Sequence, residues 1–307
     1  MGRGCAQVFA SAGFDVALTG PRAATLEKAI EGIRDDLGFL AAHGPELPEG
    51  IDQTLSRITV TTDQEEALAG ADFVLECAPE DMALKQELFS VLDRVASPET
   101  VLASNTSAMS ITEIAAASRG RHRILGTHWW NPPHLMPLVE VVRTADVEDW
   151  AVVFTMELLK AAGKHPVECK KDVPGFVANR LQHALWREAI SIVEHGIADA
   201  ATVDECLCYG PGLRWPVPGA LENSDLVGTD LTLAIHTYLL EHLEDSHEPS
   251  PLLLQMVERR QLGVKTGTGF YEWTPESAQE AHNRLMKYLL QNGIRDCMLD
   301  CDGQCST

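Results

Sequence analysis

The sequence predicts an α/β domain followed by an all-helical C-terminal domain. The α/β part is a Rossmann-like, doubly wound sheet that lacks its first strand. Three observations carry this. The chain opens on a helix, a glycine turn and a buried-type strand (MGRGCAQVFASAGFDVALTG), the second half of a dinucleotide-binding unit. Short apolar runs of strand length then alternate with helical stretches as far as residue 171. Beyond that point the pattern is helical. The expected division is 1–171 for the sheet domain, 172–290 for the helical domain and 291–307 for a tail.

Taken in order, Gly2 and Gly4 open a helical pattern that runs through Ala12, and Gly13 ends it before the strand FDVALT. Residues 22–57 hold a helical stretch to about Ala42, a Pro/Gly loop (HGPELPEG) and a short apolar-spaced segment. ITVTT (58–62) is strand-like, and DQEEALAGAD reads as a short helix. FVLECAPED (73–81) reads as a strand ending at Pro79-Glu80-Asp81, and MALKQELFSVLDRVA as an amphipathic helix. VLAS, RILGTH and PLVEVV are short apolar runs separated by a helix-like spacer and a Pro-rich turn. Asp149 to Ala162 reads as a helix and HPVECK as a strand. Lys170 to Gly175 then turns into a long helix, Phe176 to His195, with Asn179 in its first turn.

A dinucleotide unit needs an initial apolar strand and a tight Gly-x-Gly turn, so that backbone amides and a helix N-terminus meet the pyrophosphate. Neither precedes Met1. About a dozen residues are expected to be missing, the length of one strand and turn. A misplaced start codon or a truncation accounts for that more readily than a natural loss. Losing a central strand leaves two strand edges unpaired.

The 307 residues allow two domains and a sizeable core, and 45% of them are hydrophobic. The formal net charge of −21, from 24 basic and 45 acidic residues, argues against nucleic acid or an anionic membrane as partner. No apolar run approaches the roughly 20 residues that span a bilayer. The eight scattered cysteines and the lack of a secretory signal point to the reduced cytoplasm. Several of them read as small buried hydrophobes. His242 and His247 stand in a polar, acidic run and read as a solvated face, so no metal site is expected.

The chemistry concentrates between Val101 and Val142. VLAS ends in Ser104, Asn105, Thr106 and Ser107, and RILGTH ends in His128. Glu140 lies inside the apolar run PLVEVV, where a carboxylate is costly to bury without a partner. His128, twelve residues earlier across a Pro-rich turn, is the candidate. A carboxylate on one imidazole nitrogen fixes the tautomer and leaves the other nitrogen as a base. Alone, the two could be a satisfied core histidine and a strand-edge acid. The SNTS cluster at a neighbouring strand end shifts the reading toward a reaction centre.

SNTS, HWWNPP and PLVEVV, followed by DVPGFVANR, resemble the 3-hydroxyacyl-CoA dehydrogenase family, including its gulonate dehydrogenase/lambda-crystallin and pyridine-hydroxy-acid branches. The resemblance runs to about Trp273. It implies NAD-dependent oxidation of a 3-hydroxyacyl-CoA or related small 3-hydroxy acid to the 3-oxo product. It implies His128 as the base, Glu140 as its partner, and Ser107 and Asn179 as substrate-facing donors. It makes Gly2 the third glycine of the G-x-G-x-x-G turn and implies cofactor contacts at Gly2, Gly4, Asn105 and Asn131, with Glu80 and Lys85 beside the nicotinamide ribose. It also implies a homodimer.

Two departures stand out. The second strand ends at Gly20 in TGPR, where an acid normally meets the adenosine ribose hydroxyls, and Arg22 follows; both positions count as cofactor-facing, and NADP stays open beside NAD. From Arg22 to Arg57 there are four basic and seven acidic residues, a poor match for the phosphates of CoA, which keeps a small free hydroxy acid in play. Arg214 could bind a substrate carboxylate or serve as a surface or dimer contact. The alternative is a non-catalytic relic or structural protein of the same fold, because the pyrophosphate loop is missing.

Overall fold

The computed structural model describes residues 1–44 and 50–292. Its described residues separate into two units, Met1–Asn179 with 283–292, and Arg180–His282. The expected division falls after residue 171, eight residues earlier than this one. Residues 172–179 stay with the sheet because its polar groups hold them: Asp172 accepts from the Ser110 hydroxyl and the Thr112 amide, both at 2.7 Å. The last helix returns to the first unit through Met286 and Leu290, which pack with Leu135 and Phe39. The tail cysteines Cys297, Cys301 and Cys305 lie outside the described residues.

In the first unit, α1 (Gly2–Ser11) ends where Gly13 takes a positive φ of 91°, and β1 (Val16–Thr19) follows. Helices α2 (Ala23–His43) and α3 (Gly50–Ser56) lead to β2 (Ile58–Thr61). Asp63 caps α4 (Gln64–Leu68) by accepting from the Glu65 and Glu66 amides. β3 covers Phe73–Glu76, shorter than the expected run to residue 81, because the Glu76 carboxylate turns back onto the Ala78 amide at 2.5 Å and Asp81 caps α5 (Met82–Val95). β4 (Val101–Ser104), α6 (Ile111–Ile114), β5 (Ile124–Trp129), β6 (Leu138–Val142), α7 (Asp149–Ala161) and β7 (His165–Cys169) complete it.

Five strands form one sheet in the order β3-β4-β5-β6-β7. It is parallel except between β5 and β6, whose antiparallel register sets His128 directly opposite Glu140. β1 and β2 form a separate parallel pair. Among the described residues no ladder joins β1 to β3. Helix α1 spans the break. Cys5, Val8 and Phe9 pack into the cluster under the larger sheet with Ala103, Leu125, Trp129 and Val139. Ala6 and Ala10, one residue on at each turn, pack with Ile33, Leu37 and Ile58 of the smaller side.

The second unit is helical. It holds most of α8 (Ala178–Glu194), then α9 (Ala200–Tyr209), α10 (Pro211–Arg214), α11 (Gly219–Val227), α12 (Thr229–Leu239), α13 (Pro251–Glu258) and the start of α14 (Pro275–Asn292). Helix α8 starts two residues later than expected, because Phe176 sits at a φ of 48° and cannot be its first residue. No described helix is long and apolar enough to cross a membrane.

Candidate active site

Cross-strand register alone brings the His128 and Glu140 side chains to one face, and the two meet: His128 Nδ1 donates to Glu140 Oε2 at 2.7 Å. Both are buried, at 4% and 0% exposure. The second Glu140 oxygen accepts the backbone amides of Val177 and Ala178, each at 2.9 Å. Those amides open α8, so Glu140 serves as the negative group that a helix start attracts, supplied from a distant strand. Burial raises the Glu140 carboxyl, but the bond from His128 and those from Ala178 and Val177 outweigh it and hold the group below the usual carboxylate range. An ionised Glu140 makes Nδ1 the protonated ring nitrogen and leaves Nε2 free to accept. Nε2 has no hydrogen-bond partner among the described residues. Phe176 and Trp130 flank the ring, with centroids 5.6 Å away in both cases.

Asn179, the residue after Ala178, donates from Nδ2 to the Ser107 carbonyl at 2.9 Å. The four residues expected to act on substrate are therefore linked in one chain of contacts, from His128 through Glu140 and the start of α8 to Asn179 and Ser107. Ser107 is exposed, with its hydroxyl uncommitted among the described residues.

Beside this lies a network that sequence reading missed in part. Lys85, expected beside a nicotinamide ribose, is buried at 1% exposure. Its Nζ donates to Glu76 Oε1 at 2.8 Å and to the Ala78 carbonyl at 3.1 Å, and stands 3.6 Å from Glu80 Oε2. Two of its N–H groups are thus hydrogen-bonded within the protein and the charge faces Glu80, so at 1% exposure it props the loop from below. Glu76, unnoticed in the run FVLEC, also accepts from the Ser104 hydroxyl at 2.6 Å. Glu80 accepts from the Thr106 hydroxyl at 2.8 Å and the Ser107 amide at 2.7 Å. Asn105 accepts the Trp129 amide at 2.9 Å, which ties the end of β4 to β5, so its carbonyl faces the protein.

The remaining expected cofactor positions are spread along the same ends of the strands. Asn131 is exposed just after β5. A Cβ on Gly4 would stand 2.5 Å from Pro133 Cγ, so Gly4 is a packing glycine that lets α1 approach the turn after β5. Gly2 lies against Cys77. Gly20 follows β1 beside Leu26, and Arg22 precedes α2 with no ion pair among the described residues. Among the described residues no side chain caps α1, whose first amides are those of Gly2 and Arg3. That start, beside the ends of β3 and β4, fits a dinucleotide pyrophosphate.

The depressed carboxyls make a testable statement about stability. Burial also raises Asp93, and the Gly120 amide, the Arg123 guanidinium and the Arg119 amide more than offset it, leaving the group lowered. A carboxyl lowered by folding contributes stability that is fully present above its unfolded pKa of about 4 and is lost as pH falls through its native value. Glu140 and Asp93 both act in this sense. The urea midpoint is therefore expected to hold from pH 7 to about 5 and to drop steadily below about 4. An unchanged midpoint across that acid range would contradict the assignment.

Comparison with known proteins shows what the chain is similar to. A family model described as the 3-hydroxyacyl-CoA dehydrogenase NAD binding domain matches residues 1–173, and one described as the C-terminal domain of the same family matches residues 175–273. The chain is 32% identical over 279 residues to a 5-formyl-3-hydroxy-2-methylpyridine 4-carboxylate 5-dehydrogenase of Mesorhizobium japonicum, covering 91% of this chain and 89% of that one. It is 38% identical over 274 residues to a probable 3-hydroxybutyryl-CoA dehydrogenase of Deinococcus radiodurans, covering 89% and 96%. A crystal structure of a 5-formyl-3-hydroxy-2-methylpyridine 4-carboxylic acid 5-dehydrogenase, described as an NAD+ dependent dismutase, superposes with a TM-score of 0.87 at 32% identity, covering 95% and 93%.

Proposed function

Because the chain belongs to the 3-hydroxyacyl-CoA dehydrogenase family, we propose that it oxidises a 3-hydroxyacyl-CoA or a related small 3-hydroxy acid to the 3-oxo product with NAD. The observation that carries the reading is the buried His128–Glu140 pair with its free Nε2. NAD, held by Gly2, Arg3 and the ends of β3 and β4, supplies the hydride acceptor. His128 Nε2 takes the hydroxyl proton as hydride leaves the carbinol carbon. Glu140 holds the ring in place and stabilises the imidazolium that forms. The Ser107 hydroxyl and the second amide hydrogen of Asn179 are the donors left for the substrate oxygen. Relatives that are dehydrogenases by name disfavour the non-catalytic alternative.

The purified chain is expected to reduce NAD with short 3-hydroxyacyl-CoA esters or with free hydroxy acids, and less well NADP, in a panel that pairs each acid with its CoA ester. The member turned over fastest assigns the substrate class. No reduction of NAD with any member, despite saturable NADH binding, defeats the proposal.

A homodimer is also proposed, supported by the second unit. Its helices leave large apolar side chains in solvent, among them Leu221 at 85% exposure, Tyr209 at 81% and Ile197 at 74%. That much exposed apolar surface suits a partner of the same kind. Light scattering is expected to give twice the 33.5 kDa chain mass, and a monomer mass at micromolar concentration would refute it. We place the protein in the cytoplasm, which the free state of the five described cysteines supports.

A further inference from the structure

We propose that the loop entering β5 forms a second small-molecule site, one that takes a phosphate monoester with a hydroxyl beside the phosphate. Ser118, Arg119, Arg121, His122 and Asp146 line one open depression of about 540 Å³. It lies where β5 begins, whereas His128 and Ser107 stand toward the other ends of β5 and β4. The strand between His122 and His128 spans roughly 20 Å, at about 3.3 Å per residue. The depression is therefore no part of the dehydrogenase centre, and the proposal does not rest on that reading.

The charge at this point runs against that of the whole chain. Arg119, Arg121 and Arg123 fall within five positions of a protein whose net charge is −21. Arg123 is engaged inside the fold. It donates to Asp93 Oδ1 at 2.9 Å, to the Asp93 and Thr100 carbonyls at 3.0 Å each, and to the Ser97 carbonyl. Arg119 and Arg121 are exposed and remain for a ligand. The Arg119 and Gly120 amides donate to Asp93 Oδ2 at 2.7 and 3.0 Å, which fixes the backbone of the loop. The Arg119 guanidinium makes no hydrogen bond or ion pair among the described residues. Arg121 donates from Nε to the Ser118 carbonyl at 3.1 Å and from Nη2 to the Ala116 carbonyl at 2.7 Å. Those bonds set the plane of its guanidinium and leave Nη1 uncommitted.

The Ser118 hydroxyl is a second and independent mark. Ser118 is buried at 4% exposure, and its hydroxyl has no hydrogen-bond partner among the described residues. The large majority of buried side-chain polar atoms do have one. Ser118 belongs to the wall of the depression that the two guanidinium groups also line. A planar guanidinium matches two phosphate oxygens, and a hydroxyl can donate to the third.

Asp146 narrows the ligand class. It is exposed, makes no ion pair among the described residues, and would repel a bare anion. A carboxylate beside two arginines suits a molecule that carries a hydroxyl next to its phosphate, because the carboxylate accepts from that hydroxyl. The two walls are joined: the His122 carbonyl accepts the Glu148 amide at 2.7 Å, two residues from Asp146. Sugar phosphates and nucleoside monophosphates share this chemistry.

The test is calorimetric titration of glycerol 3-phosphate, AMP and methyl phosphate into the full chain, with excess NADH present to keep AMP from any dinucleotide site. Saturable binding of glycerol 3-phosphate or AMP, tighter than that of methyl phosphate, is the expected result, and the tighter of the two tells a sugar phosphate from a nucleotide. Arg119→Ala, which removes a side chain that holds nothing in the fold, should weaken binding by about tenfold. Asp146→Asn should bring glycerol 3-phosphate and methyl phosphate to similar affinity. No saturable heat at millimolar ligand, or binding that Arg119→Ala leaves unchanged, would overturn the proposal. So would binding seen only without NADH, which places the phosphate at the cofactor site.

Discussion

Glu140→Gln lowers turnover by on the order of 10⁴-fold while leaving the protein folded and NADH affinity nearly unchanged. The size of the loss follows from what an amide must do in that place. The Val177 and Ala178 amides both donate to one oxygen of residue 140, so the glutamine carbonyl is held on that side. Its NH2 group then faces His128 and donates to Nδ1. The ring proton is driven to Nε2, and the nitrogen that should take the substrate proton already carries one. His128→Gln removes the base itself and is expected to cost about 10²–10⁴-fold, again with little change in cofactor affinity. Single-turnover hydride transfer beside an NADH titration separates the two quantities. Wild-type turnover in either variant would remove His128 from the reaction.

Lys85→Met destabilises the protein by about 3–5 kcal/mol, the usual cost of leaving a buried carboxylate without its cation. Glu76 and Lys85 side chains are both 1% exposed, and after the substitution Glu76 keeps only the Ser104 hydroxyl and the Ala78 amide. The double variant Lys85→Met with Glu76→Gln should recover most of the loss, because the uncompensated charge is gone. Urea unfolding measures both. If Lys85 is a cofactor ligand, as the family resemblance suggests, Lys85→Met unfolds at the wild-type midpoint and only NADH affinity falls.

The same sequence signal marks Glu76 and Glu140, a carboxylate inside an apolar strand. Glu140 was legible because a histidine stood across a short turn, and antiparallel neighbours twelve residues apart can be paired by eye. The partners of Glu76 are nine and 28 residues away, on α5 and β4, and only the parallel sheet brings them together. Lys85 shows the reverse case. The residues alone suggested a solvated lysine and the family resemblance a cofactor-facing one, and nothing local signals that α5 turns it under the β3 loop. The order of strands and helices was legible from apolar runs and glycine turns. The hold of the sheet on residues 172–178 was not, because it comes from Glu140 and from the start of α6, both remote in the chain.

A sheet ordinarily shares load along its hydrogen bonds. Among the described residues the rows of bonds stop between β1 and β3, and α1 together with Val16 packs against both of the hydrophobic clusters beside that gap. One ten-residue helix thus sits in two cores at once. A larger side chain at Ala6 or Ala10 would therefore be felt in both cores through the same helix.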